Sequence, residues 1–223
     1  TEDTADLAMA LMLGVARRLR ECDAFVRSGE QPWGLLLKIG QRVSGKTLGL
    51  VGGGRIAQAV AQRAAGFGMR LIYTAHRPRR DFEARTGARF MEKDALLATA
   101  DFVSLHVPLT TETRHYIGRR ELEIMPRHAI LINTARGPVV DEDALAAALQ
   151  KGDIAGAGLD VFEREPQIHP GLRDLPNVLL TPHKGATTMD GFISMGNSCA
   201  EKIFAALDGR VPPDCLNPEA RQG

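Results

Sequence analysis

A surplus of charge of one sign is missing from this sequence. Lys and Arg number 28 against 27 Asp and Glu, a net charge of +1. A general nucleic-acid or polyanion binder would carry a basic excess, and an acidic disordered tail would carry a block of like charge. Cysteine is scarce. The three present, Cys22, Cys199 and Cys215, stand far apart and no CxxC pair occurs. Neither a disulfide framework nor a zinc cluster is indicated, so no metal site is expected, and a reducing compartment is the plain inference. Long apolar runs are absent as well. The most apolar stretch, residues 7–16, falls short of the roughly 20 residues a bilayer-crossing helix needs. The start, Thr1-Glu2-Asp3, is acidic where a signal peptide begins basic. A cytoplasmic protein with no membrane partner is the expectation. Fixed-period repeats and low-complexity tracts are also lacking.

What remains is ordinary for a globular chain: 44% hydrophobic and 25% charged residues. At 223 residues the chain can bury a substantial core and make one large domain, or one domain and a fragment. Residues 7–16 read as a helix apolar on most sides, hence buried, with Thr4 as its N-cap. It opens the chain with no earlier element to cover it, so a second subunit is a candidate cover. An irregular Gly/Pro/Trp segment follows over 28–40.

Then a regular alternation sets in. Strands are expected at 47–51, 70–74, 101–107, 129–133, 155–161 and 178–181. Helical text lies at 56–67, 82–85, 94–99 and 119–125, and Asp141 can cap a helix through Gln150 with Lys151-Gly152 as its stop. A last amphipathic helix runs over 190–207, and Pro212-Pro213 ends regular structure. Strands alternating with helices imply a parallel sheet covered on both faces. Right-handed crossovers make it a doubly wound α/β, Rossmann-like fold.

Gly52-Gly53-Gly54-Arg55-Ile56-Ala57 sits between the first strand and its helix. Gly52 and Gly54 permit a tight turn and a close backbone approach to a pyrophosphate. The helix N-terminus adds free N–H groups and partial positive charge, and Ala57 is small enough for helix–strand packing. The strand–turn–helix context points to a dinucleotide. A carboxylate for the ribose 2′-hydroxyl is then expected at the end of the second strand, and it is missing. That stretch reads Tyr73-Thr74-Ala75-His76-Arg77-Pro78-Arg79-Arg80, with no acid before Asp81. Arg77 and Arg79 would pair with a 2′-phosphate, so NADPH is expected over NADH, with NAD the second choice.

Three further strand ends carry chemistry. Arg136 follows 129–133, an acidic segment (Asp160, Glu163, Glu165) follows 155–161, and His183 follows 178–181. An arginine's planar fork can bind carboxylate and keto oxygen together. A histidine can protonate the oxygen as hydride arrives, and a neighbouring glutamate favours the imidazolium. The set suits reduction of a 2-oxo acid.

With these motifs, and with His106-Val107-Pro108-Leu109-Thr110, the run from Ile132 to Asp141, the run from Gly156 to Pro166 and Thr181-Pro182-His183, the sequence resembles the D-isomer-specific 2-hydroxyacid dehydrogenase family over nearly its whole length. It is most similar to the branch of NADPH-linked glyoxylate/hydroxypyruvate reductases, 2-ketogluconate reductases included. The resemblance implies reduction of glyoxylate, hydroxypyruvate or 2-ketogluconate to the D-2-hydroxy acid. It makes Arg136 the substrate-orienting residue, His183 the proton donor and Glu165 its partner. Arg55 and Ile56 would offer backbone contacts to the pyrophosphate, and His76, Arg77 and Arg79 would face the 2′-phosphate. Pro108 and Thr134 would line the coenzyme, Asp160 would contact the nicotinamide carboxamide, and Gly185 would lie near substrate and nicotinamide.

The same resemblance implies a coenzyme domain over 1–188 and a part of the substrate domain over 189–223. The rest of the substrate domain would precede the helix that begins here, so this chain is expected to bind coenzyme but to turn over poorly. A homodimer formed through the coenzyme domain is also implied. NAD-linked phosphoglycerate dehydrogenase chemistry is one alternative, and a non-catalytic dinucleotide-sensing protein is another. Glu163 is read as structural, and His106, His115, His128 and His169 as structural or solvated. Lys184 stands where the family carries an aliphatic residue, and either points away or tunes substrate preference. Trp33 is an exposed loop aromatic or reaches a partner's site.

Overall fold

The computed structural model describes residues 1–34, 36–212 and 214–218. Of the expected end of regular structure at Pro212-Pro213, Pro213 lies outside the described residues. Two compact units are present, Thr1–Gly185 and a second that begins at Ala186.

The first unit opens with α1 (Glu2–Ala16) and α2 (Leu19–Ser28). It continues with β1 (Thr47–Val51), α3 (Arg55–Ala65), β2 (Arg70–Thr74), α4 (Arg80–Thr86), β3 (Arg89–Phe90) and α5 (Lys93–Thr99). Then come β4 (Phe102–Leu105), α6 (Arg119–Ile124), β5 (Ile130–Asn133), α7 (Glu142–Lys151), β6 (Gly156–Leu159), α8 (Pro170–Arg173) and β7 (Val178–Leu180). The seven strands form one sheet in the order β3-β2-β1-β4-β5-β6-β7, and every pairing is parallel. The expected doubly wound sheet is therefore the fold of this unit.

Successive strand residues point to opposite faces, and two cores result. Val51, Val103, Leu105 and Leu131 face Leu96 and Leu97 of α5, Leu122 of α6 and Leu145 of α7. Leu48, Leu50, Phe102, Ile130 and Ile132 face Leu11 and Met12 of α1 and Val60 of α3. The central strands β1, β4, β5 and β6 are buried along their whole length because both faces are covered.

Two expectations about the first helix are corrected. Thr1, not Thr4, is its N-cap; Glu2 and Asp3 extend it by a turn, favoured by the positive end of the helix dipole. Its apolar side is covered by this chain: Gly14 packs on Leu179, and Gly158 approaches Leu11. No second subunit is needed there, because strands more than 100 residues later return beneath the helix. The strand expected over 101–107 is shorter. Asp101 turns its carboxylate onto Thr47 N–H at 2.8 Å and His128 Nε2 at 2.9 Å. α2, β3 and α8 are elements beyond those the sequence reading places.

Asp141 does cap α7, accepting from Ala144 N–H at 3.0 Å, and Gly152 ends it with φ 72°. In the second unit, α9 (Met189–Leu207) begins at Thr188, which accepts from Gly191 N–H at 2.9 Å. Phe192, Ile193, Met195, Phe204 and Leu207 of α9 are exposed, and Lys202 pairs with Asp214 at 2.6 Å. Among the described residues no helix is long and apolar enough to cross a membrane.

Candidate active site

Each loop that carries a candidate residue leaves the sheet at a strand's carboxyl end. Gly52 follows β1, His76 to Arg79 follow β2, and Pro108 follows β4. Thr134 and Arg136 follow β5, Asp160 and Glu165 follow β6, and His183 and Gly185 follow β7. The sheet order places β2 and β3 on one side of β1 and β4 onward on the other. Doubly wound sheets bind ligands at that switch point, outside the strand ends.

The glycine turn is held open by geometry. Gly52 has φ 109°, and a Cβ on it would stand 2.6 Å from the His106 carbonyl oxygen; only glycine fits. Gly54 is the N-cap of α3, and nothing lies within 4 Å of a Cβ built there. Arg55 and Ile56 form the first turn, whose N–H groups lack helical partners. A cavity of ≈ 920 Å³ extends from this turn, lined by Gly52 to Gly54, Ala75 to Asp81, His106 to Pro108, Thr110 and Thr113.

At the basic rim of that cavity Arg79 is partnered by its neighbours: Nη1 donates to the Gly53 carbonyl at 3.1 Å, and Nη2 pairs with Asp81 at 3.0 Å. Its guanidinium braces the glycine turn and neutralises the nearest acid. His76 and Arg77 are exposed at the rim, as is Arg80. Arg80 was overlooked, although it adjoins Arg79 in the same basic run. Thr110 and Thr113 were also missed; their hydroxyls bond each other's loop, and sequence offers no signal that the loop turns back over the cavity.

A second cavity of ≈ 380 Å³ is lined by Ile56, His106, Val107, Pro108, Leu109, Thr134, Ala135 and Arg136. His106 to Pro108 are common to both cavities. Burial pushes the His106 imidazole down to about 4, so the ring is neutral; Nε2 lies 2.9 Å from Ser104 Oγ. Thr134 Oγ1 is buried and, among the described residues, is the one buried side-chain polar atom without a hydrogen-bond partner. Such atoms are costly in a folded protein unless a ligand or water completes them.

Arg136 is exposed, with Nη1 donating to Ala135 O at 2.6 Å. His183 lies in the left-handed region at φ 53°, and its Nδ1 is 2.8 Å from Glu165 Oε2. The other carboxylate oxygen of Glu165 accepts from Phe162 N–H at 3.0 Å. Burial pushes the Glu165 carboxyl up, but the His183 and Phe162 hydrogen bonds and the charges of His183 and Arg136 outweigh it, and the carboxyl lies below its usual range. A carboxylate acceptor on Nδ1 requires the proton there and leaves Nε2 directed away from the pair. The structure thus brings Glu165 and His183 together, with Arg136 near enough to act on the same carboxyl.

Asp160 is almost fully buried. Oδ1 accepts from Thr181 Oγ1 and Lys184 N–H, both at 2.6 Å, and Oδ2 from Gly185 N–H at 2.8 Å. Its main-chain oxygen also accepts from His183 N–H at 2.8 Å. Asp160 therefore anchors the segment carrying His183. Lys184 is exposed, and Trp33 is 66% exposed. The remaining histidines are tied into the protein: His115 to Glu163, His128 to Asp101 and His169 to Asp143.

Known proteins resemble this arrangement closely. The family profile described as "D-isomer specific 2-hydroxyacid dehydrogenase, NAD binding domain" matches residues 9–185. A glyoxylate reductase of Thermococcus litoralis is 50% identical over 224 residues, which is 98% of this chain and 68% of that protein. A glyoxylate/hydroxypyruvate reductase B of Pectobacterium carotovorum is 48% identical over 98% of this chain and 69% of its own length. A solved Thermus thermophilus structure superposes with a TM-score of 0.91 at 46% identity, covering 97% of this chain and 68% of that one.

Proposed function

The chain belongs to the D-isomer-specific 2-hydroxyacid dehydrogenase family, an oxidoreductase domain for a nicotinamide dinucleotide in 2-oxo acid reduction, and from that premise we propose that it prefers NADPH and serves a small 2-oxo acid such as glyoxylate, hydroxypyruvate or 2-ketogluconate. The observation that carries the coenzyme preference is the rim after β2. Arg77 and Arg80 line the larger cavity and, among the described residues, take part in no hydrogen bond or ion pair, while Asp81 is paired with Arg79. A 2′-phosphate finds cations there; Asp81 is paired with Arg79, and the carboxyl of Glu112 is held below its usual range by Thr110 and His76.

The residues fit a bound dinucleotide. The glycine turn and the start of α3 would take the pyrophosphate, His76 and Arg77 the ribose phosphate, and Pro108 the wall beyond. Thr134 Oγ1, orphaned and buried, would gain the polar partner it lacks. Asp160 would reach the nicotinamide end while keeping its hold on residues 184 and 185. When bound, the reduced coenzyme supplies hydride to carbon 2 of the substrate.

The protein's part is to bind, orient and protonate. Arg136 grips the carboxylate and keto oxygen through its fork. His183, held at Nδ1 by Glu165, donates the Nε2 proton to that oxygen, which becomes the hydroxyl of the D-2-hydroxy acid. Glu165 stays ionised and stabilises the imidazolium between turnovers. We further propose that the protein works as a homodimer.

Parallel binding titrations with NADPH and NADH test the coenzyme reading. NADPH should bind at least tenfold more tightly, and Arg77→Glu should remove most of that difference, roughly 1–3 kcal/mol for a charge-assisted phosphate contact. Equal affinities in the unaltered chain would sink the NADPH preference.

A further inference from the structure

The loop after β6 holds two histidines, not one. Glu165 takes His183, and Glu163, two residues earlier, bonds Nε2 of His115. Both histidines stand in the left-handed region, His115 at φ 50° and His183 at φ 53°.

His115 is joined to the other side of the site as well. Its N–H donates to the Pro138 carbonyl at 2.8 Å, inside the short turn that directly follows Arg136. That turn is pressed onto the glutamate loop. A Cβ on Gly137 would fall 1.9 Å from the Phe162 carbonyl carbon. Glu142, at the start of α7, accepts from Glu163 N–H at 2.9 Å. The segment that carries His115 reaches the coenzyme cavity through Thr110 and Thr113. Three loops, carrying Arg136, Glu165 and the cavity threonines, therefore meet at one hydrogen-bonded pair.

Global stability does not explain this pair. The His115 side chain is 40% exposed, and exposed ion pairs contribute little to folding. A left-handed non-glycine residue is itself unfavourable and persists where its surroundings hold it.

We propose that His115 and Glu163 form a positioning pair that keeps the Arg136 turn and the Glu165 loop in register, so that Glu165 stays on Nδ1 of His183. Neither residue touches substrate or coenzyme in this scheme. The inference rests on the reading of His183 and Glu165 as the proton-donating pair, and adds two positioning residues to it. The other charged groups facing the pair are Glu142, whose carboxyl burial pushes up, with Arg164 and His169 near it.

The test reads the ring nitrogens of His183 directly, without turnover. In the 15N-labelled full chain, the neutral imidazole should be in the Nδ1–H form that Glu165 enforces. Glu163→Ala and His115→Ala should each reduce the ratio of Nδ1–H to Nε2–H forms at least about fivefold. Glu163→Gln keeps an acceptor for His115 and should restore most of the ratio. NADPH affinity should stay within about twofold in all three. An unchanged ratio in Glu163→Ala, in a chain that still melts cooperatively, would overturn the proposal, as would a ratio kept while NADPH affinity falls. If the unaltered chain itself lacks the Nδ1–H form, the His183–Glu165 reading fails first, and this one with it.

Discussion

The two edges of the one sheet are built on opposite terms. At the amino-terminal edge polar groups are consumed by the fold. Asp101 accepts from Thr47 N–H, His128 and Lys46. Arg70 bonds Thr47 Oγ1, Gln41 bonds the His128 carbonyl, and Arg20 bonds the carbonyls of Leu175 and Val178. A cavity of ≈ 260 Å³ exists there, but its arginines, Arg18 and Arg20, are already committed. At the carboxyl edge polar groups are left available. Thr134 Oγ1 has, among the described residues, no partner, Arg77 and Arg136 are exposed, and His183 sits in the left-handed region, uncommon for a residue other than glycine. The same strands thus end in a clasp on one side and a binding surface on the other. Satisfied polar groups hold a fold together; unsatisfied, held ones wait for a ligand.

Four changes would break or sharpen that contrast. His183→Ala should give the largest effect, a loss of about 10²–10⁴-fold in kcat where turnover is measured, as expected for a removed general acid. Coenzyme affinity should hardly move, and a protein that kept its rate would not use His183 as donor. At the opposite edge, Asp101→Ala should destabilise by about 2 kcal/mol, because the buried Thr47 N–H loses a charged acceptor. Denaturant melts measure it. If NADPH affinity fell in proportion, the two edges would not be separable.

Acid should act on both edges. His106, with its pKa pushed down from 6.5 to about 4, binds fewer protons folded than unfolded across that window. Stability therefore falls as pH drops from 6.5 toward 4, by up to about 3 kcal/mol. Asp101 lies below its usual range: burial pushes it up, and the Thr47 N–H and Lys46 outweigh that. Its contribution is present above the unfolded carboxylate value and is lost as pH falls further. In a His106→Gln chain, melts at pH 7 and 5 should differ less than in the parent. The smallest effect belongs to Thr134→Val. Coenzyme affinity should fall by about 0.5–1.5 kcal/mol, while the ligand-free chain should be as stable as before or slightly more so, since an orphaned hydroxyl has gone. Lower stability would show that water or protein already satisfies that atom.

Much of the site could be read in order along the chain. Gly52 to Gly54 between a strand and a helix, Arg136 after β5 and His183 after β7 are local patterns, and each falls at a strand's carboxyl end. Three features could not be read. That Arg79 reaches both the Gly53 carbonyl and Asp81 at the cavity rim depends on β1 and β2 lying side by side. Thr134 entered only by family likeness; that its hydroxyl is buried and alone depends on every neighbour around it. His115 and Glu163 looked unremarkable singly, and they meet across 48 residues of chain.

By itself the sequence determined the alternation of strands and helices, the apolar strands of a two-faced sheet, the glycine turn, the cap at Asp141 and the stop at Gly152. Each depends on residues within a turn or a pleat of one another, where periodicity and backbone sterics operate. Only the tertiary structure decided which cations stay free, which hydroxyl lacks a partner, and what covers α1. Those outcomes depend on pairings between distant segments, and a side chain's commitments are known only when its neighbours in space are.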